Sequence, residues 1–453
     1  MIGGGLAGVA AALDCAAAGA QVTLVEVRRR LGGAAYSFER DGMQLDNGQH
    51  VFLRCCAAYR ALLARIGSSH HVSVQPRLEI PVLSPGAETV WLRRGRLPAP
   101  LHLAGALARY SHLTRRERLR AALAARALTR LDPREPALDE ITLGDWLTRH
   151  GQDGRAIEML WDLVALPTLN LPAAQASLAL GAFVFQTGLL AGADAGDIGF
   201  HVGTLAETIG DPAQRALGDA GVEVRLGWRA ERVQRTAGGF EVQGGEQGFS
   251  AESVIVALPH TRAAALLEPL LAETSRAIAL ISSSPIVNLH VVYDRPVCEH
   301  PFAAGVGTPV QYLFDRTAAA GTPDGCQYLA VSLSGAEREM RMSVDRLRER
   351  YLPALEQLLP RARGATVERF LATREHAATF RAAPGVGALR PGALTEVPGL
   401  VLAGNWTDTG WPATLEGAVL SGHAAASATL AALELEAGPR GAPGSDLEKA
   451  ASL

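Results

Sequence analysis

This sequence of 453 residues has few cysteines, almost no lysine and no surplus of positive charge. The five cysteines include no C-x-x-C pair, so the sequence supports neither a disulfide framework nor a zinc site, and the pattern fits a reducing compartment. Lys449 is the only lysine among the 43 basic residues; all the others are arginine. Because the formal net charge is -3, we expect no nucleic acid as partner.

Long apolar runs are also absent. The longest uncharged run, residues 163–193, is interrupted by proline, asparagine and glutamine, and its cleanest apolar part covers only residues 178–185. A helix that spans a bilayer needs about 20 apolar residues, so we expect no transmembrane helix and a cytoplasmic protein. The run fits either a core helix or the wall of a tunnel for a long hydrocarbon. Such a hydrocarbon would bind by burying apolar surface, which contributes about 25 cal/mol of free energy per Å².

The chain opens on a glycine-rich turn. Gly3, Gly5 and Gly8 form the pattern G-x-G-x-x-G, and an alanine-rich helix and a short buried strand ending in Glu26 are predicted to follow. Such glycines let the backbone approach a pyrophosphate, and the helix N-terminus supplies free N–H groups to the phosphates. Glu26 has the spacing of an acid that binds an adenosine ribose with a free 2′-hydroxyl. The alternative is a tight turn followed by a solvated acid.

The strand that normally precedes such a turn is nearly missing. Only Met1 and Ile2 stand before the glycines, whereas a strand usually has about five residues. This first strand is normally central in the sheet, so we expect that an apolar extension ahead of Met1 would stabilise the fold.

Two further segments favour a binding site for the same dinucleotide. Residues 28–33 form a basic turn with paired glycines directly beyond Glu26, although a charge run at the surface is the alternative. Near the other end of the chain, an apolar strand over residues 400–403 runs into Gly404, and a helix is predicted from Pro412. The N-terminus of that helix is a second place where backbone N–H groups could bind ligand oxygens.

Together these blocks resemble the FAD-dependent amine oxidase and phytoene desaturase superfamily. Within it, residues 46–50, 166–172 and 403–407 are similar to the hydroxysqualene dehydroxylases of squalene and hopanoid biosynthesis. The resemblance covers nearly the whole chain and implies FAD as cofactor. The implied fold is α/β, with an α+β substrate part: a Rossmann-like FAD-binding domain of the glutathione-reductase type, interleaved with a helical and mixed-sheet substrate domain.

The length also indicates two domains, and 48% hydrophobic with 20% charged residues is a globular composition. We assign residues 1–75, 201–265 and 386–435 to the FAD-binding domain. The substrate domain takes a helical part, residues 76–200, and a sheet part, residues 266–385. Residues 436–453 are predicted to be a disordered tail.

The resemblance places residues along the adenosine diphosphate half of FAD. Gly3, Gly5 and Gly8 would face the pyrophosphate, Glu26 the adenosine ribose, and the backbone of Val233 the adenine. Along the flavin half it implies this set: Gly32 and Gly33 in the groove, Gly404 and Asn405 at the second phosphate and the ribityl chain, and Glu416, Gly417 and Ala418 beside the isoalloxazine. The family usually has a carboxylate where Asn405 stands, so the ribityl contact would differ here.

The implied reaction replaces the allylic hydroxyl of hydroxysqualene by hydrogen from reduced FAD and gives squalene. His50 is the candidate that protonates the leaving hydroxyl, since the reference pKa of histidine, about 6.5, permits both protonation states; a structural histidine is the alternative. An oxidative carotenoid desaturase or an amine oxidase of the same fold are competing functions. A non-catalytic prenyl-binding module like the GDP dissociation inhibitors is a third. The sequence does not indicate an electron donor.

Arginines recur among leucines and alanines from Leu97 to Leu131, where we predict a helix over residues 101–131. Such a helix can lie on an anionic leaflet, which would make the protein peripheral on the inner face of the cell membrane. A solvated charged face is the alternative. A second amphipathic helix is predicted over residues 346–359, with a kink or a break at Pro353.

Overall fold

The computed structural model describes residues 1–435, and the predicted disordered tail lies outside the described residues. The helices are α1 (Leu6–Ala17), α2 (Ala57–Arg65), α3 (Ala104–Arg109), α4 (Arg115–Leu128), α5 (Pro136–Asp139), α6 (Leu143–Arg149), α7 (Gly154–Ala156), α8 (Asp162–Leu169), α9 (Leu178–Phe185), α10 (Asp211–Asp219), α11 (His260–Leu267), α12 (Ala272–Leu280), α13 (Thr317–Ala320), α14 (Val344–Leu358) and α15 (Leu415–Ala432).

The strands are β1 (Thr23–Glu26), β2 (Ser37–Arg40), β3 (Met43–Asp46), β4 (Phe52–Leu53), β5 (Val72–Val74), β6 (Glu79–Leu83), β7 (Val90–Arg93), β8 (Ile198–His201), β9 (Glu223–Leu226), β10 (Arg232–Thr236), β11 (Gly239–Gly244), β12 (Gln247–Ala251), β13 (Val254–Val256), β14 (Ser283–Tyr293), β15 (Phe302–Gly305), β16 (Tyr312–Asp315), β17 (Gln327–Ser334), β18 (Val367–Phe380) and β19 (Leu400–Leu402). Within residues 1–435, no helix is both long and apolar enough to cross a bilayer.

A parallel sheet at the N-terminus carries the glycine turn. Strand β1 pairs with β9, and β13 pairs with β19. Ile2 joins the two pairs, because it forms parallel bridges to Val25 on one side and to Val256 on the other. The N–H of Gly3 donates to the carbonyl of Val25 at 2.8 Å, and the N–H of Ile2 donates to that of Ile255 at 2.9 Å. The central strand is therefore only about as long as the sequence predicted, and a few backbone bonds hold it in place.

Small residues pack two helices tightly against this sheet. Helix α1 is buried from Leu6 to Cys15, and it crosses α15 so closely that a Cβ on Gly422 would lie 2.3 Å from the carbonyl oxygen of Ala7. Gly19, with φ +86°, follows the last residues of α1 and ends it. This close packing fixes the start of α1 relative to the start of α15, both of which bear predicted cofactor residues.

A second, larger sheet has the strand order β18-β14-β17-β16-β15-β6-β7. It is mixed: β14 is antiparallel to β17 and β18, whereas β15 is parallel to β6. Leu347, Tyr351 and Leu355 of α14 pack on one apolar cluster of this sheet, and α7 and α8 meet another. The short sheet β4-β8-β5 pairs strands from segments that the sequence analysis assigned to different domains. The α/β and α+β fold class is confirmed, and the domain boundaries stay a prediction.

The structure corrects three predictions about single elements. Strand β18 was missed because its apolar residues do not alternate, and only Phe370 and Phe380 in it are buried. The helix predicted over residues 101–131 is broken, because Thr114 starts α4 with a capping box. The break predicted at Pro353 is wrong, because α14 continues through the proline with buried residues on both sides of it, while the kink stays a prediction.

Candidate active site

The three glycines of the first turn have different tasks. Gly3 has φ +110°, and a Cβ there would lie 2.4 Å from the carbonyl oxygen of Ala257; a Cβ on Gly8 would lie 1.9 Å from that of Gly3. These two glycines let strand and helix touch. A Cβ on Gly5 would meet nothing closer than the Cα of Gly33 at 3.7 Å. Gly5 is also the N-cap of α1, where no side chain caps the helix, so its backbone is open to a ligand.

Glu26 ends β1 with its carboxylate fixed beside this turn. Its Oε2 accepts the N–H of Gly4 at 2.8 Å, and its Oε1 accepts the N–H of Arg28 at 2.8 Å. Each oxygen keeps a second acceptor position, which is what a ribose diol requires. The geometry thus fits the predicted ribose contact.

The second glycine pair lies directly against the first turn. Gly32 and Gly33 have φ +98° and +60°, and a Cβ on Gly33 would lie 2.8 Å from the Cα of Gly5. The N–H of Gly32 donates to the carbonyl of Gly4 at 2.9 Å. The guanidinium of Arg30 lies 3.7 Å from the ring centre of Tyr36 and donates to the carbonyl of Gly33 at 3.2 Å. This turn is therefore a wall of the same groove.

Val233 lies on β10, the edge strand of the sheet β10-β11-β12, with its side chain buried. Only one side of its backbone pairs with a strand, so the other side is available. Trp228 connects this sheet to Glu26, because the backbone N–H of Trp228 donates to the carbonyl of Glu26 at 3.0 Å. Its ring packs against Phe249 with centres 5.4 Å apart. Sequence reasoning missed Trp228, which follows a strand with no motif of its own.

A buried arginine organises the C-terminal turn. Gly404 has φ +141°, and a Cβ there would overlap Nε1 of Trp406 at 2.4 Å. Trp406 is buried and donates to the carbonyl of Leu258 at 2.8 Å, so it fills the core. Arg390 donates to the carbonyls of Thr407 at 2.6 Å and of Trp411 at 2.8 Å. Burial lowers the pKa of Arg390 to about 10, which leaves it charged at neutral pH.

The start of α15 is occupied by its own side chains. The hydroxyl of Thr414 accepts the N–H of Gly417 at 3.0 Å. The Glu416 carboxylate is buried and accepts the N–H groups of Ala58 at 2.9 Å and of Tyr59 at 2.7 Å, at the start of α2. Burial raises the pKa of Glu416. Its side chain therefore holds α2, and its predicted place beside the isoalloxazine stays a prediction for the backbone only.

The neighbouring predicted residues are arranged differently. Asn405 and Ala418 are half-buried, and within residues 1–435 the Asn405 side chain has no hydrogen-bond partner. Gly417 is buried, and a Cβ there would lie 2.9 Å from the carbonyl oxygen of Pro412. Gly417 is thus required by packing, while Asn405 keeps a free amide.

The segment that carries His50 is anchored on both sides of the groove. Asn47 donates from Nδ2 to the carbonyl of Ala34 at 2.9 Å and to Oε1 of Glu375 at 3.0 Å. Asp46 is buried, and its Oδ2 accepts from Nη2 of Arg316 at 2.9 Å. These bonds connect the wall formed by Gly32 and Gly33 with β18 of the large sheet, which the sequence did not predict.

His50 itself presents a free imidazole. The ring is half-buried, and no other residue of the described chain forms a hydrogen bond with it. Burial lowers its pKa, partly offset by the carboxylates of Asp46 and Glu375. Its carbonyl oxygen accepts from Nδ1 of His201 at 2.7 Å. The backbone of His50 is therefore fixed while its side chain is not engaged.

The apolar run forms α8 and α9, of which α9 is largely core and α8 is buried only at Leu163, Ala165 and Leu169. All of α9 except Phe183 is buried, and the Phe183 ring meets Trp411 with centres 5.0 Å apart. Asn170 ends α8 with φ +52° and donates to the carbonyl of Ser284 at 3.0 Å. Burial raises the pKa of Asp162, at the start of α8, to about 6. The run thus reaches the turn before α15 at one point.

Comparisons with known proteins agree with this arrangement. A family model for flavin containing amine oxidoreductases matches residues 6–430. The chain belongs to this family. It is similar to the hydroxysqualene dehydroxylases of Sinorhizobium fredii and Rhodopseudomonas palustris, with 30% identity over 95% of this chain and over 97% and 98% of theirs. A probable zeta-carotene desaturase of Synechococcus elongatus is 25% identical over 96% of this chain and 99% of that protein.

The solved structure of cyclohexylamine oxidase from Brevibacterium oxydans shares the fold, with a TM-score of 0.72 at 18% identity, over 96% of this chain and 98% of that one. The family match and the curated relatives make the chain an FAD-dependent oxidoreductase, as the sequence predicted, and the non-catalytic alternative falls away. The residues present fit FAD, because no side chain caps the start of α1, the Gly5 backbone is bare, and the Glu26 carboxylate is fixed beside the same turn by the N–H of Gly4. The role of each residue in binding it stays a prediction.

Proposed function

We propose that this chain removes the allylic hydroxyl of hydroxysqualene reductively and gives squalene. The observation that carries the proposal is the 30% identity to two hydroxysqualene dehydroxylases over 95% of the chain. Three sequence blocks resemble these enzymes. Residues 46–50 form the His50 segment, residues 166–172 end α8, and residues 403–407 form the turn after β19.

The groups of the chain suit such a reaction. FAD, when bound and reduced, supplies the hydride. Departure of an allylic hydroxyl requires a proton, and the free imidazole of His50 is the candidate that donates it. Because burial lowers the pKa of His50, a smaller fraction of it is protonated at a given pH than of an ordinary histidine, and the protonated ring is a stronger acid. Asp162, whose pKa is raised to about 6, is a second acid in the helical part.

A set of apolar side chains packed against one core cluster, including Leu53 just after the His50 segment, suits a hydrocarbon chain. They are half-buried and lie between β4, β8, the helical part and the large sheet: Leu53, Met159, Leu160, Leu189, Phe200 and Tyr312. Such side chains bind an isoprenoid through burial and need few hydrogen bonds. They also keep water away from the allylic cation that forms when the hydroxyl leaves. Both effects favour transfer of a hydride over recapture by water.

The test is a single turnover without oxygen. Enzyme reduced with dithionite is mixed with one equivalent of hydroxysqualene, and the flavin absorbance and the products are followed. We expect squalene and the return of the absorbance of oxidised flavin. The matched variant His50→Gln should retain flavin and convert the substrate about 100-fold or more slowly.

The oxidative reading makes the opposite demand. Relatives named zeta-carotene desaturases are 23–25% identical to this chain, which keeps isoprenoid desaturation as a second candidate. It requires oxidised flavin and removes hydrogen from a saturated segment. If oxidised enzyme desaturates an isoprenoid while reduced enzyme leaves hydroxysqualene unchanged, the dehydroxylase proposal is wrong.

We further propose that the arginine-rich surface, residues 97–131, docks on an anionic leaflet. Seven arginines stand in this segment against one carboxylate, Glu117, although the whole chain has a net charge of -3. Glu117 is already paired with Arg155 at 3.0 Å. Five of the arginines are exposed and have no carboxylate partner among the described residues: Arg109, Arg115, Arg116, Arg126 and Arg130.

Exposed leucines accompany these charges. Leu119 and Leu123 are 64% and 58% exposed on one face of α4, and Leu97 and Leu101 are each 56% exposed in the loop before α3. An interfacial helix combines basic and apolar side chains in this way. A bilayer is also where a substrate as apolar as hydroxysqualene accumulates, so this surface would place the enzyme next to it.

Co-sedimentation with lipid vesicles tests this surface. The protein should sediment with vesicles that contain phosphatidylglycerol and not with pure phosphatidylcholine, and high salt should release it. The double variant Leu119→Ser, Leu123→Ser should bind about tenfold or more weakly. The control is Leu280→Ser, Leu394→Ser, because these two leucines are 70% and 72% exposed outside the segment. Equal loss in both pairs, or equal binding to both lipids, would refute the proposal.

A further inference from the structure

A buried histidine ties the backbone of His50 to helix α2. His201 ends β8 and is 5% exposed. Its Nδ1 lies 2.7 Å from the carbonyl oxygen of His50, and its Nε2 lies 2.7 Å from the hydroxyl of Tyr59. The ring of Phe52 packs edge-on against both, with centres 5.4 Å from Tyr59 and 5.8 Å from His201. The rings of Phe52 and Tyr59 leave the His201 ring little freedom to rotate.

The direction of each hydrogen bond follows from the chemistry of the groups. A carbonyl oxygen only accepts, so Nδ1 of His201 must carry a hydrogen. Burial lowers the pKa of His201 to about 3, so the ring is neutral and Nε2 presents a lone pair. The hydroxyl of Tyr59 therefore donates to Nε2. The two hydrogen bonds therefore run in one direction, from the Tyr59 hydroxyl through the His201 ring to the carbonyl of His50.

The hydrogen-bond network continues to the start of α15. The N–H of Tyr59 donates to the buried carboxylate of Glu416 at 2.7 Å. On the other side of the His50 segment, the ion pair of Asp46 with Arg316 holds the end of β3 at 2.9 Å. The bonds thus fix the backbone around His50 from both sides without using its imidazole.

We propose that Tyr59 and His201 are positioning residues that set the direction of the His50 side chain by holding its own carbonyl group. The inference rests on the proposed function, in which His50 protonates the leaving hydroxyl. A hydrogen bond to a carbonyl fixes the peptide plane, and the peptide plane sets the direction in which the side chain of the same residue leaves the backbone. A displacement of about 1 Å at a reacting group can lower a rate about 100-fold.

Two variants of the same size class separate positioning from general structure. In asparagine the amide nitrogen is as many bonds from Cβ as Nδ1 of histidine, so His201→Asn can keep the bond to the His50 carbonyl. In glutamine the amide nitrogen corresponds to Nε2, so His201→Gln keeps a group near Tyr59 and loses the bond to His50. Tyr59→Phe removes the donor to Nε2 and lets the proton of His201 move there, which breaks the same bond less completely.

The first readout is a double-mutant cycle of single-turnover rates with reduced enzyme and hydroxysqualene. His201→Gln should be about 10- to 100-fold slower at equal flavin content, and His201→Asn within about threefold of the wild type. In the His50→Gln background, His201→Gln should cause no further loss, because the positioned group is gone. Additive losses, or a slow His201→Asn with a fast His201→Gln, would overturn the inference.

The second readout does not depend on the substrate. The carbon resonances of ¹³C-labelled histidine are titrated in the flavin-loaded enzyme, and the His50 signal is identified by its loss in His50→Gln. The carboxylates of Asp46 and Glu375 act on His50, and His50 and Arg316 act on His201. The His50 titration should shift in His201→Gln and in Tyr59→Phe, and stay unchanged in His201→Asn. An unchanged titration in all three variants refutes positioning, whereas a wild type that leaves hydroxysqualene unconverted refutes only the proposed function.

Discussion

The sequence predicted two helix N-termini that could bind ligand oxygens, and the two differ in how they are capped. The N-cap of α1 is Gly5, with no side chain and no side-chain bond, whereas that of α15 is Thr414, whose hydroxyl accepts the N–H of Gly417 at 3.0 Å. The acids beside them differ as well. Glu26 binds backbone within its own turn, while Glu416 is buried against the start of α2. One end is open to a cofactor, and the other is satisfied by the protein.

This difference teaches that similar sequence signals can leave backbone groups free at one place and be satisfied by protein contacts at another; which of the residues bind FAD stays a prediction. Both ends combine glycine, an acid and a helix start, and both were predicted to contact FAD. The glycines at the α1 end include Gly5, whose backbone is open. At the α15 end the glycines meet protein atoms: Gly404 meets Trp406, and Gly417 meets Pro412.

The largest effect is expected at Gly8. Gly8→Ala places a Cβ 1.9 Å from the carbonyl oxygen of Gly3, so strand and helix must separate. We expect a loss of about 3 kcal/mol or more in the free energy of unfolding, and little soluble protein. Gly5→Val is the control at the same turn, since its Cβ has room. It should fold with nearly the melting temperature of flavin-free wild type and carry no flavin; full flavin content in purified Gly5→Val would contradict an open site.

The two acids should separate binding from stability. Glu26→Gln should weaken FAD binding by about 1.5–3 kcal/mol, because a charged acceptor of two N–H groups and of the ribose is lost. Glu416→Gln should lower the stability of the flavin-free protein by a similar amount and retain FAD. Flavin titration and thermal melts of both variants measure this. The comparison fails if Glu416→Gln loses flavin at unchanged stability.

Acid should weaken the contact between α2 and the His50 segment. Burial lowers the pKa of His201 to about 3 and that of His290 to about 4, so the unfolded chain binds protons that the folded chain does not. Stability from these groups is complete above about pH 6.5 and falls as the pH drops from there towards 4, by about 1.4 kcal/mol per pH unit and group at most. His201→Asn should show a smaller fall in melting temperature between pH 7 and pH 5 than the wild type. An equal fall would contradict a buried neutral His201.

The smallest effect is expected at the cap of α15. Thr414→Ala removes the acceptor for the N–H of Gly417 and should cost about 1 kcal/mol of stability. FAD binding should not change, because the backbone of the turn is held independently by Arg390. Thr414→Ser, which retains the hydroxyl, is the control. A loss of flavin in Thr414→Ala with normal stability would show that this end binds the cofactor through its cap.

Much of the local geometry around the first turn could be predicted from sequence. The turn at Gly3 and the strand end at Glu26 depend on local backbone geometry, which short motifs encode. A cap of the same local kind lies at Thr142, whose hydroxyl accepts the N–H of Asp145 at 2.9 Å. Such features involve residues a few positions apart, so their types and spacing suffice.

The contacts around His50 could not be predicted, because they join distant parts of the chain. Tyr59 and His201 are 142 positions apart, and Asn47 and Glu375 are 328 apart. Arg390 resembles any other arginine of this arginine-rich chain until the fold buries it beneath the turn before α15. Strand β18 lacks alternation because much of it is half-buried on both faces. In each case the signal depends on partners that only the folded chain brings together.

The central claim is that this enzyme replaces a hydroxyl by hydrogen, and isotopic labelling tests it most directly. Enzyme is exchanged into D₂O without oxygen, reduced with dithionite and given one equivalent of hydroxysqualene. Because the hydride of reduced flavin comes from solvent under these conditions, the account predicts squalene with one deuterium at the carbon that bore the hydroxyl, and with no oxygen. Unchanged hydroxysqualene, a product with additional double bonds, or squalene without deuterium would contradict it.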